Sequence, residues 1–127
     1  MTFARVKAAA RALPGVQAAK RYDGSTVLKL DGCFVAGLAS HPSAEPDTLI
    51  VRMEIEDRER LLEDAPDTYY VTDYYRPYPL VLARLSRVTD DALRDLLATS
   101  SRLTIAKTRN RGRKAKVSRY VSDSPND

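Results

Sequence analysis

The dipeptide Asp31-Gly32 stands between two short apolar runs, Val27 to Leu30 and Cys33 to Leu38. A two-residue turn of this kind needs positive φ at both positions, which Asp tolerates and Gly adopts freely. The two runs are therefore predicted to be antiparallel strands joined by a tight hairpin. This constrains the fold strongly, because the turn ties the register of both strands to one point of the chain.

The residues before this hairpin predict a helix. Thr2 is a suitable N-cap, and Pro14-Gly15 ends the segment because neither residue continues a helix well. Between them, apolar residues recur at helical spacing and define one face: Phe3, Val6, Ala10 and Leu13.

After the hairpin, a loop with two prolines leads into a further strand and a short helix. One set of positions is apolar throughout and predicts a strand with one buried face: Leu49, Val51, Met53 and Ile55 alternate with Ile50, Arg52 and Glu54. Asp57 is expected to open the helix, with an inward side formed by Leu61, Leu62 and Ala65.

The last part of the domain predicts one more strand and one more helix. Pro79 is the first residue of the run PLVLARL, at a strand start where a missing N–H is tolerated. Thr89 is a good N-cap, and the two aspartates after it suit the positive end of a helix dipole. Together the elements predict an α+β domain with an antiparallel sheet and helices packed on one side.

Length and composition exclude several classes of site. A chain of 127 residues normally forms one domain, and no apolar run approaches the roughly 18 residues of a membrane span. The single cysteine, Cys33, excludes an internal disulfide, and the single histidine, His41, leaves little for zinc chemistry. We expect a cytoplasmic protein without signal peptide, cofactor, metal or membrane partner.

Charge is divided unevenly along the chain. Residues 1–101 hold 13 Lys/Arg and 15 Asp/Glu, a net charge of −2, whereas residues 102–127 hold 8 Lys/Arg and 2 Asp, a net charge of +6. Such asymmetry indicates an anionic partner. We expect residues 1–106 to form the α+β domain and residues 107–127 to form a flexible basic tail.

The tail contains seven basic residues and no acidic residue between Lys107 and Tyr120. In an extended chain, Arg109, Arg111 and Arg113 would project the same way at steps of about 7 Å. Lys and Arg that neutralise phosphates release counterions, so this run predicts nucleic-acid binding. The predicted contacts are Lys107, Arg109, Arg111, Arg113, Lys114, Lys116 and Arg119.

Part of this run, RNRGRKAK, also resembles an AT-hook, whose Arg-Gly-Arg core lies in a narrow minor groove. Gly112 would allow close approach of the backbone there, although Lys114 stands where an AT-hook usually has proline. The alternative is a solvated tail that binds polyanions only non-specifically.

Other clusters carry weaker functional interpretations. The tyrosines Tyr69, Tyr70, Tyr74, Tyr75 and Tyr78 could stack unpaired bases, but residues of this type more often fill a core, a sheet edge or a dimer contact. The acidic set around Asp57 and Glu63 is interleaved with arginines and is expected to be a solvated face rather than a metal site. Ser100-Ser101 have no nearby base, so no catalytic residue is predicted. His41 is expected to be exposed and Cys33 to be buried.

The order of several motifs resembles the MmcQ/YjbR family. These are RALPGV after the first helix, KLDGCFVAGL as a hairpin, VRMEI followed by RERLLED, and DDALRDLLATSSRLTIAKT near the end. The resemblance covers roughly Ala4 to Lys107 and implies a frataxin-like α+β fold in a non-catalytic DNA-binding protein. The chain lacks the tryptophans common in that family, and Tyr22 and Tyr78 are their possible substitutes. Cys33 replaces the lysine that often follows the hairpin glycine.

The function predicted from these observations is phosphate-mediated binding of nucleic acid, DNA in preference to RNA, through the basic C-terminal segment. The alternative is a protein-interaction or small-ligand module that uses the groove between sheet and helices or the tyrosine-rich stretch. A homodimer remains open in either case.

Overall fold

The computed structural model describes residues 1–113, with side chains described through Arg109. Three helices and six strands lie within these residues. In chain order they are α1 (Phe3–Ala10), β1 (Val16–Lys20), β2 (Thr26–Leu30), β3 (Cys33–Leu38), β4 (Thr48–Arg52), α2 (Ile55–Asp64), β5 (Tyr69–Tyr70), β6 (Leu80–Arg84) and α3 (Asp90–Arg113).

The strands form one antiparallel sheet in the order β1-β2-β3-β4-β6-β5, which confirms the predicted class. Asp31 and Gly32 have φ values of 51° and 79°, so the predicted hairpin turn is present at these two residues. The register between β2 and β3 shifts after Leu28, and Val35 becomes the extra residue of a β-bulge.

All three helices pack against one face of the sheet, here called the helix-covered face. Val6 of α1 and Leu97 of α3 meet strand residues such as Leu49 and Val81 in one apolar cluster. Leu61 and Leu62 of α2 join the same cluster and are half-buried. The prediction that helices lie on one side is therefore confirmed.

The opposite face of the sheet, here called the loop-covered face, carries a second apolar cluster. Val27, Phe34, Ile50 and Leu82 project from the strands and pack with Tyr75. Residues of the connecting segments, including Ala44 and Val71, pack against this cluster. Loops rather than helices therefore exclude water from this side of the sheet.

Three local predictions differ from the structure. β1 was not predicted, and it forms an edge strand paired only with β2. β4 is buried on both faces, not one, because the loop-covered face is also closed. α2 begins at Ile55 rather than Asp57, with Glu54 as its N-cap residue.

Helix α3 extends further than predicted and crosses the expected domain boundary between residues 106 and 107. Its 24 residues correspond to a rod of about 36 Å. Across residues 1–113, none of the helices combines the length and apolar character that a bilayer crossing requires.

Candidate nucleic-acid interface

Helix α3 begins as its sequence predicts. The Thr89 hydroxyl accepts a hydrogen bond from the Ala92 N–H at 3.1 Å, and Asp90 and Asp91 occupy the first turn. These carboxylates lie beside the positive end of the helix dipole, where negative charge is favoured. The inner face then packs on the sheet through Leu93, Leu96 and Leu97, as expected.

Two hydroxyl groups tie the middle of α3 to the β-bulge. Ser100 Oγ donates to the Val35 carbonyl at 2.7 Å, and Thr104 Oγ1 lies 3.3 Å from the Phe34 carbonyl and 2.8 Å from the Ser100 carbonyl. Both side chains are fully buried. A bulge interrupts the ladder of backbone hydrogen bonds, so these donors satisfy carbonyls at the irregular point. They also explain why the helix does not end at Ser101.

Beyond Thr104 the helix leaves the core. Ile105 still packs against the helix-covered cluster, whereas Ala106 and Arg109 are exposed. From Thr104 to the last described position, Arg113, the helix rises by about 14 Å. The basic segment therefore starts as a continuation of a core helix.

The structure locates four of the seven predicted contact residues on this helix. Lys107 is half-buried, Arg109 is exposed, and Arg111 and Arg113 are positions of the helical backbone. The remaining three predicted contacts lie outside the described residues: Lys114, Lys116 and Arg119.

The first part of this segment is helical and not extended. In a helix, positions 109 and 113 share one side because they are four residues apart, and position 111 lies about 200° from each. The same helical backbone runs through Gly112, so the extended Arg-Gly-Arg core of an AT-hook is not the conformation found in this structure.

Charge is segregated along α3. Its first six residues hold three aspartates, Asp90, Asp91 and Asp95, and one arginine, whereas every charged residue from Arg102 to Arg113 is basic. Basic side chains suit the C-terminal half, because the dipole places partial negative charge there. Within the part of the chain that has described side chains, Arg109 makes no ion pair. The helix thus presents opposite charges at its two ends.

The tyrosine-rich stretch is mostly occupied by contacts within the domain. Tyr75 is fully buried, and its hydroxyl accepts a hydrogen bond from the His41 N–H at 3.3 Å. The Tyr70 hydroxyl lies 2.6 Å from Thr48 Oγ1, and the Arg84 guanidinium covers its ring. These two rings are therefore not available as platforms for nucleic-acid bases.

The prediction of an exposed His41 is wrong. Its ring stacks on Tyr74 with centroids 3.5 Å apart, and it is half-buried. Cys33 is buried, as predicted. Tyr22 and Tyr78, the proposed substitutes for family tryptophans, keep 97% and 37% of their surface exposed.

The acidic set on α2 is partly paired, as expected for a solvated face. Arg60 Nη1 lies 3.2 Å from Asp57 Oδ1, and Arg58 Nε donates to Glu59. Among residues with described side chains, no group of three potential metal ligands comes together.

Sequence reasoning missed the role of Arg58, which is only 3% exposed. Its Nη1 donates to the carbonyls of Arg76, Tyr78 and Leu80 at 3.0–3.3 Å. A signal was present, because Arg58 shares the helical face of Leu61, Leu62 and Ala65.

The groove considered as an alternative site is a cleft between α2 and α3 with a volume of about 420 Å³. Its lining combines apolar and acidic side chains, with one arginine: Met53, Asp57, Arg60, Leu61, Asp64, Tyr69, Ala92, Asp95, Leu96 and Thr99. It is formed by the first half of α3, at the acidic end of that helix.

Comparison with known proteins assigns no function to either candidate site. No protein-family model matches the chain, and no curated protein matches it either.

Proposed function

We propose that this protein binds nucleic acid by contacting phosphates with the C-terminal end of α3 and the basic segment that follows it. The residues that would make these contacts are Lys107, Arg109, Arg111, Arg113, Lys114, Lys116 and Arg119. The observation that carries the proposal is the segregation of charge on α3, whose basic half continues past the last buried residues.

Polyanion binding suits this arrangement for two physical reasons. Duplex DNA carries one negative charge per about 1.7 Å of axis, so a cluster of arginines and lysines gains affinity by releasing counterions. The acidic end of α3, with Asp90, Asp91 and Asp95, would be repelled by the same phosphates. A polyanion would therefore approach the molecule from the basic end of the helix.

The resemblance to the MmcQ/YjbR family supports a non-catalytic, cytoplasmic DNA-binding protein of frataxin-like fold. Binding to DNA in preference to RNA is part of this proposal. The helical backbone at residues 107–113 favours phosphate contacts over base recognition by an extended arm, because alternate arginines do not share one side of a helix.

The test is a salt titration of binding to a short duplex DNA by the full chain. With about 4–6 phosphate contacts, log K should fall against log[salt] with a slope of about −3.5 to −5.5, since each contact contributes roughly −0.9. A variant with Lys107, Arg109, Arg111 and Arg113 changed to Gln should lose about 2–4 units of that slope. Substitution is preferable to truncation after Ala106, which would remove seven residues of α3.

A matched control changes four exposed basic residues elsewhere to Gln: Arg11, Lys20, Arg87 and Arg94. Both variants lose the same net charge, so a general electrostatic effect would weaken them equally. Equal weakening, or a wild-type slope near zero, would overturn the proposal. Parallel titrations with duplex RNA of the same sequence test the stated preference for DNA.

A further inference from the structure

The cleft between α2 and α3 has the composition of a binding site for a small organic molecule. Met53, Leu61 and Leu96 supply apolar surface. Its volume of about 420 Å³ lies within the range of typical ligand pockets, roughly 300–1,000 Å³. An apolar body of modest size could therefore leave water by entering it.

The polar groups of the cleft leave an excess of negative charge. Asp57 and Arg60 pair with each other at 3.2 Å and largely cancel. Asp64 comes from α2 and Asp95 from α3, and neither forms an ion pair with any residue that has a described side chain. Two carboxylates contributed by different helices thus line the same space, and neither is paired with a cation among residues 1–109.

Tyr69 adds a polar group to the lining of the cleft. This side chain is only 6% exposed and lines the cleft. Its hydroxyl makes no hydrogen bond within residues 1–109. Burial, and to a lesser extent the Asp95 carboxylate, raise the pKa of Tyr69 above its ordinary value. The hydroxyl therefore stays protonated at neutral pH. An incoming polar group can hydrogen-bond this hydroxyl.

We propose that this cleft binds a small organic amine, with the ammonium group between Asp64 and Asp95, the Tyr69 hydroxyl beside it, and an apolar body against Met53, Leu61 and Leu96. An amine fits better than a carboxylate because the net charge of the lining is negative. An amine also fits better than a bare metal ion, because a metal ion has no apolar part that could contact the apolar side chains of the cleft. The site is distinct from the basic end of α3.

The experiment compares two probes of the same ring system by NMR titration of the isotope-labelled full chain. Tryptamine carries an ammonium group, and indole-3-propionate carries a carboxylate in its place. Tryptamine should shift the amide signals of α2 and of residues 92–99, and it should bind at least tenfold more tightly than indole-3-propionate. Equal binding of both probes, shifts elsewhere, or no binding of tryptamine would overturn the proposal.

Three substitutions test the assigned roles. Asp95→Asn and Asp64→Asn should each weaken tryptamine binding about 2–5-fold, as expected for a solvent-accessible charge pair. Tyr69→Phe keeps the ring and removes the hydroxyl, and it should weaken binding about fivefold. Glu63→Gln is the control, because Glu63 is an exposed acid next to Asp64 that does not line the cleft. If Glu63→Gln weakens binding as much as Asp64→Asn, the negative charge of α2 attracts the amine without a specific contact, and the proposed site is wrong.

A final variant separates this proposal from the nucleic-acid proposal. Changing Lys107, Arg109, Arg111 and Arg113 to Gln should leave tryptamine binding within about twofold, because these helix positions lie about 12 Å or more beyond Thr99 along α3. Each proposal can then fail while the other stands.

Discussion

The two faces of the sheet exclude water by different means. On the helix-covered face, apolar side chains of α1, α2 and α3 interdigitate with those of the strands. On the loop-covered face, loops supply Tyr75 to the core, and the buried guanidinium of Arg58 donates to the carbonyls of Arg76, Tyr78 and Leu80. A helix satisfies its own backbone groups, whereas an irregular loop needs side chains to do so. The loop-covered face therefore depends more on polar contacts.

The largest effect expected from this difference concerns two equally buried leucines. Leu97 of α3 is 1% exposed on the helix-covered face, and Leu82 of β6 is 0% exposed on the loop-covered face. Leu97→Ala should lower the free energy of unfolding by about 3–5 kcal/mol, and Leu82→Ala by about 2–3 kcal/mol, because loops can collapse into a cavity more readily than packed helices. Urea denaturation measures both. A larger loss of stability for Leu82→Ala than for Leu97→Ala would contradict this difference between the two faces.

Arg58→Met tests the polar contacts of the loop-covered face. Methionine keeps much of the aliphatic volume but leaves the carbonyls of Arg76, Tyr78 and Leu80 without this donor. We expect a loss of about 2–4 kcal/mol in the free energy of unfolding. The matched control is Arg60→Met, two residues away on the same helix and 77% exposed in its side chain, which should change stability by less than about 0.5 kcal/mol. A neutral Arg58→Met would mean that the loops hold without the guanidinium.

Gly32→Val changes the hairpin turn, which belongs to neither face of the sheet. An added Cβ at Gly32 would meet no atom within 4 Å, so any cost comes from the backbone alone. With φ at +79°, a β-branched residue should lower the free energy of unfolding by about 1–2 kcal/mol. Thermal denaturation beside Gly32→Asn, which tolerates this conformation better, would isolate the backbone term. Equal stability of the two variants would contradict it.

The smallest effects should come from two exposed ion pairs, one on each side of the sheet. Arg84 donates to both carboxylate oxygens of Glu45 at 2.9 and 3.0 Å, and Arg5 does the same to Asp90 at 2.8 and 3.1 Å. These hydrogen bonds, more than the charge alone, hold the pKa of each carboxyl below its usual range. Arg84 is half-buried and the other three side chains are exposed to solvent, which limits the contribution of both pairs.

Because each pKa is lower in the folded protein, the stabilisation is present above the ordinary carboxyl pKa and is lost as the pH falls through the lowered value. Glu45→Gln and Asp90→Asn should therefore lower Tm slightly at neutral pH, and the difference from wild type should shrink at an acid pH where each wild-type carboxyl becomes protonated. Melting curves at both pH values measure this. A Tm difference that grows on acidification would contradict the assigned sign.

Local turn and cap chemistry made much of the fold predictable. Asp31-Gly32 and Thr89 each act through neighbours in the chain, so their sequence context was sufficient. β1 escaped prediction because its sequence, VQAAK, has little β-branched or aromatic character and is ordered by pairing with β2. The length of α3 depends on hydroxyls bonding to a bulge about 65 residues away in sequence, which no local pattern reveals.

The two candidate sites also differ in how far the sequence predicts them. The density of basic residues near Lys107 is visible in the sequence, but their helical placement depends on how α3 is anchored. The cleft could not be predicted, because Asp64, Tyr69 and Asp95 come from three separate elements. Their juxtaposition is a product of packing alone.

The strand order also has a kinetic consequence. β1 to β4 pair with their neighbours in sequence, so these hairpins can close on a timescale of about 1–10 μs each. The segment between β4 and β6 contains α2 and the tyrosine-rich stretch, so β6 can pair with β4 only after a long loop closes. The entropy cost of closing that loop makes this step slower. We expect β6 docking to limit the folding rate, so that Val81→Ala slows refolding, as stopped-flow chevron analysis would show. The last strand to join would then also be the one that brings the covering loop onto the sheet.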